Sequence, residues 1–147
     1  MTSLSDAQRI LFESQGFLTI PNALAAEELE EVRAAAGRAE QKWRADTNRP
    51  GIRSVALDQV QAPIEYEDAL LNLLWHPSTF PIVRALIGDD VMMIDNDLFI
   101  TPPSTPHTHA NWHHDVGMAG VYHPRSLLML KVFFLLTDVN EDSGATA

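Results

Sequence analysis

At Gly88 the spacing of apolar residues along this 147-residue chain changes period, and that change limits the fold more than any other feature. Before it, apolar side chains recur three and four positions apart, the signature of helices with one buried stripe. After it, "VMMIDNDLFI" (91–100) alternates. Met92, Ile94, Leu98 and Ile100 share one face; Val91, Met93, Asp95, Asp97 and Phe99 share the other. "SLLMLKVFFLLTDV" (126–139) is a second β-type run, apolar on both faces as a buried strand is. Helices first and strands later predict an α+β fold with a mainly antiparallel sheet. No repeat, low-complexity tract or linker interrupts the chain, so residues 1–147 read as a single domain.

The helical half carries its own punctuation. In "SLSDAQRILFESQGF" Ser5 is placed to cap a helix with Gln8 three positions on, Leu4 to act as a hydrophobic staple, and Gly16 to supply the left-handed stop. "FLTIP" then reads as a short strand ended by Pro21. A longer helix follows, with Leu29, Val32, Ala36, Ala39 and Trp43 as its apolar stripe. Glu27, Glu28, Glu30 and Glu31 lie near its N-terminus, where the helix dipole favours them, and read as a solvated face. "TNRPGIRSVALDQVQAPIEY" is loop-rich, with a short strand expected at Ser54–Leu57. "EDALLNLLW" and "STFPIVRALIG" predict two short helices, the second capped by Ser78 and stopped at Gly88.

Composition excludes several function classes. Twenty acidic against ten basic residues give a formal net charge of −10, which repels phosphate backbones and anionic lipid, so nucleic acid and membranes are poor partners. No apolar run approaches the ~20 residues of a membrane helix, and the N-terminus lacks the basic flank and apolar core of a secretory signal. There are no cysteines, which removes disulfides, thiolate metal sites and cysteine nucleophiles together and fits a cytoplasmic protein. Any metal must be held by nitrogen and oxygen.

"HTHANWHHDVG" (107–117) packs four of the six histidines into eight positions and adds an aspartate. On an extended segment residues i and i+2 project to one face, so His113 and Asp115 can reach one ion while His114 points away. Such an H-x-D is half of a two-histidine, one-carboxylate triad, which leaves metal positions open for oxygen and a cosubstrate and suits non-haem Fe(II). Three letters alone are weak, and a structural hydrogen bond would use the same pair. The motif gains weight from the Pro-rich loop before it, from Trp112 as a rigid wall, and from "GMAG" after it. His107 and His109 sit in a Pro/Thr loop, where histidines are mostly solvated; His76 and His123 read as surface or satisfied core residues. Asp95 and Asp97 are placed on a strand edge facing water, and Asn96, on the apolar face, is expected to hydrogen-bond inside. "DVNEDSG" reads as a turn.

Three stretches meet a known family. "GFLTIPNALAAEELEEVRAA", "WHHDVG" and "LKVFFLLTDVNEDSGATA" resemble, in that order, the opening, the W-H-x-D segment and the following strand and turn of phytanoyl-CoA dioxygenase-like proteins. The resemblance implies a double-stranded β-helix (a cupin-like jelly roll) with N-terminal helices, binding Fe(II) and 2-oxoglutarate. His113 and Asp115 match two metal ligands, His114 lies beside the cosubstrate, and Lys131 falls where the family places a residue over 2-oxoglutarate. Trp112, Met118 and Tyr122 are candidates for the pocket wall. The implied reaction consumes O2, decarboxylates 2-oxoglutarate to succinate and CO2, and hydroxylates a C–H bond of a small-molecule substrate. The family's second metal histidine and its clamping arginine follow the "NEDSG" turn, and no histidine follows His123, so the jelly roll is expected to be incomplete within these 147 residues.

Two rival readings remain. The cluster is similar to the H-x-H-x-D-H signature of zinc hydrolases, but Asn111 and Trp112 stand in its Asp-His positions. A non-catalytic binding domain on the same fold is the other. Nothing in the pattern fixes an oligomeric state.

Overall fold

Ser5 opens the first helix with both halves of a capping box: its Oγ accepts from the Gln8 N–H at 3.2 Å, and Gln8 Oε1 accepts from the Ser5 N–H at 3.0 Å. This computed structural model describes residues 4–48, 51–53, 58–101 and 126–140, with the side chains of 51–53 and 58 not among them. Helix α1 (Asp6–Gln15) ends at Gly16, whose φ of +84° is the left-handed stop and whose N–H donates to the Phe12 carbonyl at 2.8 Å. The helix buries no residue; the Arg9 guanidinium ties it to the Ala85 carbonyl at 2.9 Å.

The strand expected at "FLTIP" does not form. Residues 17–20 carry no ladder, and the chain turns at Pro21 and Asn22, the latter at φ +53°. Extended apolar residues become a strand only when a neighbour supplies the paired carbonyls and amides, and none among the described residues does.

Helix α2 (Ala26–Ala45) buries Val32, Ala35, Ala36, Ala39 and Trp43, close to the stripe its spacing predicts. Three alanines in that stripe let neighbours approach closely. Val32, Ala35 and Ala39 join Leu70 in a core cluster flanked by Leu24, Ile64, Tyr66, Leu73 and Leu136. Against α2 pack a 3-10 turn at Pro63–Glu65 and helix α3 (Asp68–Leu71), which runs into a 3-10 turn at Asn72–Trp75; helix α4 (Phe80–Ile87) follows. Ala62 precedes the first of these turns at φ +52°, an uncommon setting for a residue with a Cβ. Glu67 caps the packing of α3 on α2: its carboxylate accepts from Arg38 at 2.8 and 3.0 Å and from Lys42 at 2.7 Å. Those two cations hold the Glu67 carboxyl well below the usual range, at about 2.

Ser78 does not cap α4. The N-cap is Thr79, with no side-chain hydrogen bond, and Ser78 Oγ lies 2.6 Å from His76 Nδ1 instead. The nearby imidazole outcompetes the helix end for the hydroxyl. Gly88, at φ +107°, ends the helix as expected.

The sheet is antiparallel, in the order β1 (Gly51–Arg53), β2 (Asp58–Gln61), β3 (Asp97–Ile100). The strand expected at Ser54–Leu57 lies outside the described residues, and strands flank it on both sides. Val60 pairs with Leu98, Gln59 with Phe99 and Gln61 with Asp97. Paired residues share a face, so Val60, fully buried, and Leu98 mark one face, and Gln59, Gln61, Asp97 and Phe99 the other. The ladder of β3 takes only the last four residues of the alternating run; Met92, Met93 and Ile94 are exposed.

Residues 126–140 form no strand ladder. They do keep an alternation. Phe134 and Leu136 are half-buried, whereas Phe133 and Leu135 are 63% and 68% exposed. The expectation of a strand buried on both faces is therefore corrected: one face packs, the other is open. The fold class is α+β, but the expected order of helices first and strands later is corrected: β1 and β2 come between α2 and α3, and β3 joins them from beyond α4.

Candidate functional site

The histidine cluster itself, with His113, His114 and Asp115, lies outside the described residues, as do Trp112, Met118, Tyr122, His107, His109 and His123. What the structure describes is the pair of segments that enter and leave it: β3, which ends at Ile100, and the run 126–140, which carries Lys131.

The face of β2 and β3 turned away from Val60 carries three polar residues beside the exposed Phe99. Gln59, Gln61 and Asp97 are all half-buried there. Asp97 Oδ1 is sealed from solvent and has no hydrogen-bond partner. Burial pushes the Asp97 carboxyl up, and the charge of Asp95 adds to the rise; the Gln59 side chain, which hydrogen-bonds the carboxyl, and the ammonium of Lys131 act the other way. This corrects the expectation of an aspartate at a strand edge facing water. Asp97 is opposite Gln61 on the middle strand, so its carboxyl lies over the sheet rather than beside it.

Asn96, just before β3, is half-buried as its place on the apolar side implies. Its amide donates to the Met93 sulfur at 3.8 Å, while its Oδ1 is buried without a partner. Its backbone carbonyl extends the β2–β3 ladder by accepting from the Ala62 N–H at 3.0 Å. Two acceptor oxygens without donors, on consecutive residues, make this the most unsatisfied place in the described protein.

The run bearing Lys131 is seated from the helical side. Arg33, on α2, donates from Nε to the Leu136 carbonyl and from Nη1 to Glu30 Oε1 at 2.7 Å. His76 meets the Phe134 ring edge-on with centroids 6.0 Å apart. That histidine is a satisfied core residue, as expected. Its Nδ1 accepts from the Ser78 N–H at 3.3 Å, which leaves Nε2 to donate to Glu28 Oε1 at 2.9 Å. Glu28 is accordingly not part of a freely solvated face; its other oxygen accepts from the Ala25 N–H at 3.3 Å. A small open cleft beside it is lined by Glu28, Glu31, Asn72 and His76. Among the described residues no group of three or more metal-ligating side chains gathers.

Sequence reasoning missed Gln59 and Gln61. The polar–apolar–polar order of "DQVQ" carried the signal: Val60 inward requires both glutamines on the other face.

Helices packed beside a small antiparallel sheet define the class, an α+β protein. The model of the phytanoyl-CoA dioxygenase (PhyH) family matches residues 12–147, and the chain belongs to that family. The family implies a cupin-like fold, and it is one of Fe(II)- and 2-oxoglutarate-dependent oxygenases. No curated protein and no solved structure matches the chain. No helix among the described residues is long and apolar enough to cross a membrane.

Proposed function

We propose that this protein is an Fe(II)/2-oxoglutarate-dependent dioxygenase that hydroxylates an unactivated C–H bond of a small molecule, on a double-stranded β-helix to which the described sheet belongs. The observation that carries the reading is the family match over residues 12–147 with "WHHD" (112–115) inside it.

The donor chemistry fits the metal. An imidazole from His113 and a carboxylate from Asp115 are the nitrogen and oxygen donors that Fe(II) accepts, and a chain without cysteine offers no thiolate to divert the site to zinc. Bound Fe(II) and 2-oxoglutarate supply oxygen activation, with succinate and CO2 as the coproducts. The chain's own residues bind and orient. His113 and Asp115 would hold the ion, together with the further histidine that the resemblance places after the "NEDSG" turn. His114 borders the cosubstrate. Lys131 offers an ammonium to a 2-oxoglutarate carboxylate, a charge-assisted contact. The half-buried Gln59, Gln61 and Asp97, which share their sheet face with the exposed Phe99, support this reading, because amides and a carboxyl suit a polar ligand.

Anaerobic addition of Fe(II) and 2-oxoglutarate to the full-length enzyme that carries the further metal histidine, followed by metal analysis and measurement of succinate formed under O2, tests the reading. One labile iron per chain and 2-oxoglutarate-dependent succinate are expected. Two retained zinc ions would point to the hydrolase, and no metal to a binding domain; either would overturn the proposal.

A further inference from the structure

Three side chains that the proposed oxygenase chemistry does not use form a line of hydrogen bonds. Ser78 Oγ lies 2.6 Å from His76 Nδ1, and His76 Nε2 lies 2.9 Å from Glu28 Oε1. One contact sets the direction of both. The Ser78 N–H reaches Nδ1 at 3.3 Å and can only donate, so Nδ1 carries no proton. The Ser78 hydroxyl must then be the donor at 2.6 Å, while Nε2 holds the ring proton and gives it to the Glu28 carboxylate. A hydroxyl thus rests on the unprotonated nitrogen of an imidazole whose other nitrogen is oriented by a carboxylate. That is the arrangement that makes a hydroxyl a nucleophile.

The parts are held in place. Pro77 stiffens the link between His76 and Ser78, and the His76 carbonyl accepts from the Thr79 N–H at 3.0 Å and the Phe80 N–H at 2.9 Å. The Ala25 N–H anchors the other oxygen of Glu28. Phe134 meets the imidazole, whose side chain is 10% exposed, whereas Ser78 is only half-buried. The base is shielded from water and the hydroxyl is open to a reagent.

We propose that Ser78 is an acyl-accepting nucleophile, with His76 as its base and Glu28 as the positioning residue, and that it takes a small acyl group from an activated ester. Ser78 Oγ bonds to the acyl carbon as the ester C–O bond breaks. Its proton passes to His76 Nδ1 and from there to the departing oxygen, and Glu28 offsets the imidazolium formed in between. The backbone amides of the turn limit the substrate class. That of Ser78 is committed to Nδ1, and those of Thr79 and Phe80 to the His76 carbonyl, so they cannot steady an oxyanion. An ester with a good leaving group needs little such help; a peptide bond needs much, and is not a substrate.

The test needs neither iron nor 2-oxoglutarate. The protein is treated with p-nitrophenyl acetate, and peptide mass spectrometry follows acetylation of Ser78 against that of Ser14, an exposed serine whose hydroxyl donates to the Leu11 carbonyl at 2.9 Å. Ser78 should be acetylated at least roughly ten-fold faster than Ser14. The advantage should disappear in His76→Gln and shrink several-fold in Glu28→Gln, with Ser14 unchanged in both. Equal rates at the two serines of the parent protein would overturn the proposal. If His76→Gln fails to fold, Glu28→Gln carries the test, because its amide oxygen still accepts from Nε2 but brings no charge to offset the imidazolium. An unchanged Ser78 rate in that variant would overturn the assignment equally.

Discussion

The Nε2 of His76 lies 2.9 Å from Glu28 Oε1, and through that contact the turn before α4 is fastened to the first turn of α2. The same imidazole backs onto Phe134, so one side chain joins three parts of the chain that are far apart in sequence. His76→Ala removes a buried hydrogen-bonded ring, leaves the Ser78 N–H and Glu28 without their partner, and should cost about 2–3 kcal/mol. Glu28→Gln keeps a neutral acceptor and should cost less than half as much. Urea unfolding midpoints of the two variants check the order; equal midpoints would remove His76 from this role.

Acid should loosen the packing of α3 on α2. The folded Glu67 carboxyl sits at about 2, against an ordinary value of 4.5. Its folded value is depressed, so its contribution is present above the ordinary value and disappears as pH falls through the folded one. Melting temperatures of the parent and Glu67→Gln should therefore differ at pH 6 and converge between roughly pH 4.5 and 2. A constant gap across that range would contradict the assignment.

Asp97 carries the opposite sign. Its folded carboxyl is raised above the ordinary 3.8 by burial, so the protonated form favours folding and the benefit is lost as pH rises. Asp97→Asn, which cannot ionise, should gain stability relative to the parent as pH climbs from 3.8 towards neutrality. A thermal melt series tests this, and a growing deficit would show that ionised Asp97 is better compensated than its environment implies.

Leu70 is the largest aliphatic residue in the buried cluster against α2. Leu70→Ala should cost about 2–5 kcal/mol through lost burial and the cavity left behind. Chemical denaturation measures it, and a cost below 1 kcal/mol would mean that α3 is not seated on α2 as described.

At the proposed metal site the ligand assignment makes an ordered prediction. In the full-length enzyme, His113→Ala and Asp115→Ala should each abolish 2-oxoglutarate turnover, whereas His109→Ala should keep most of it. Succinate formation reads the series. The reverse order would move the metal to the Pro-rich loop.

The sequence was most legible where one interaction is local and has no rival. Ser5 with Gln8, Gly16, and the stripe from Val32 to Trp43 depend on residues within a turn or two of one another. Legibility failed where a distant group competes. Ser78 looks like a helix cap until His76 takes its hydroxyl, and the glutamates of α2 look interchangeable until one meets that same ring. Asp97 looks like a solvated strand residue because alternation reports sides of a strand and not how deeply each side is covered. "FLTIP" has the composition of a strand and lacks a partner among the described residues. The candidate site was named from H-x-D and from likeness to a family, and the family match bears out the likeness. The polar face of β2 and β3 needed the register, which no single segment encodes.

Arg33 grips the carbonyl of Leu136, 103 positions later in the chain, and Leu136 also packs on the α2 cluster. During synthesis α2 therefore emerges with part of its covering still to be made. At the usual pace of translation that interval is roughly 5–20 s, long beside the microseconds in which a helix forms. The newborn chain must hold the part of the stripe that Leu136 covers exposed for that time, which makes chaperone capture during elongation a natural step in its biogenesis.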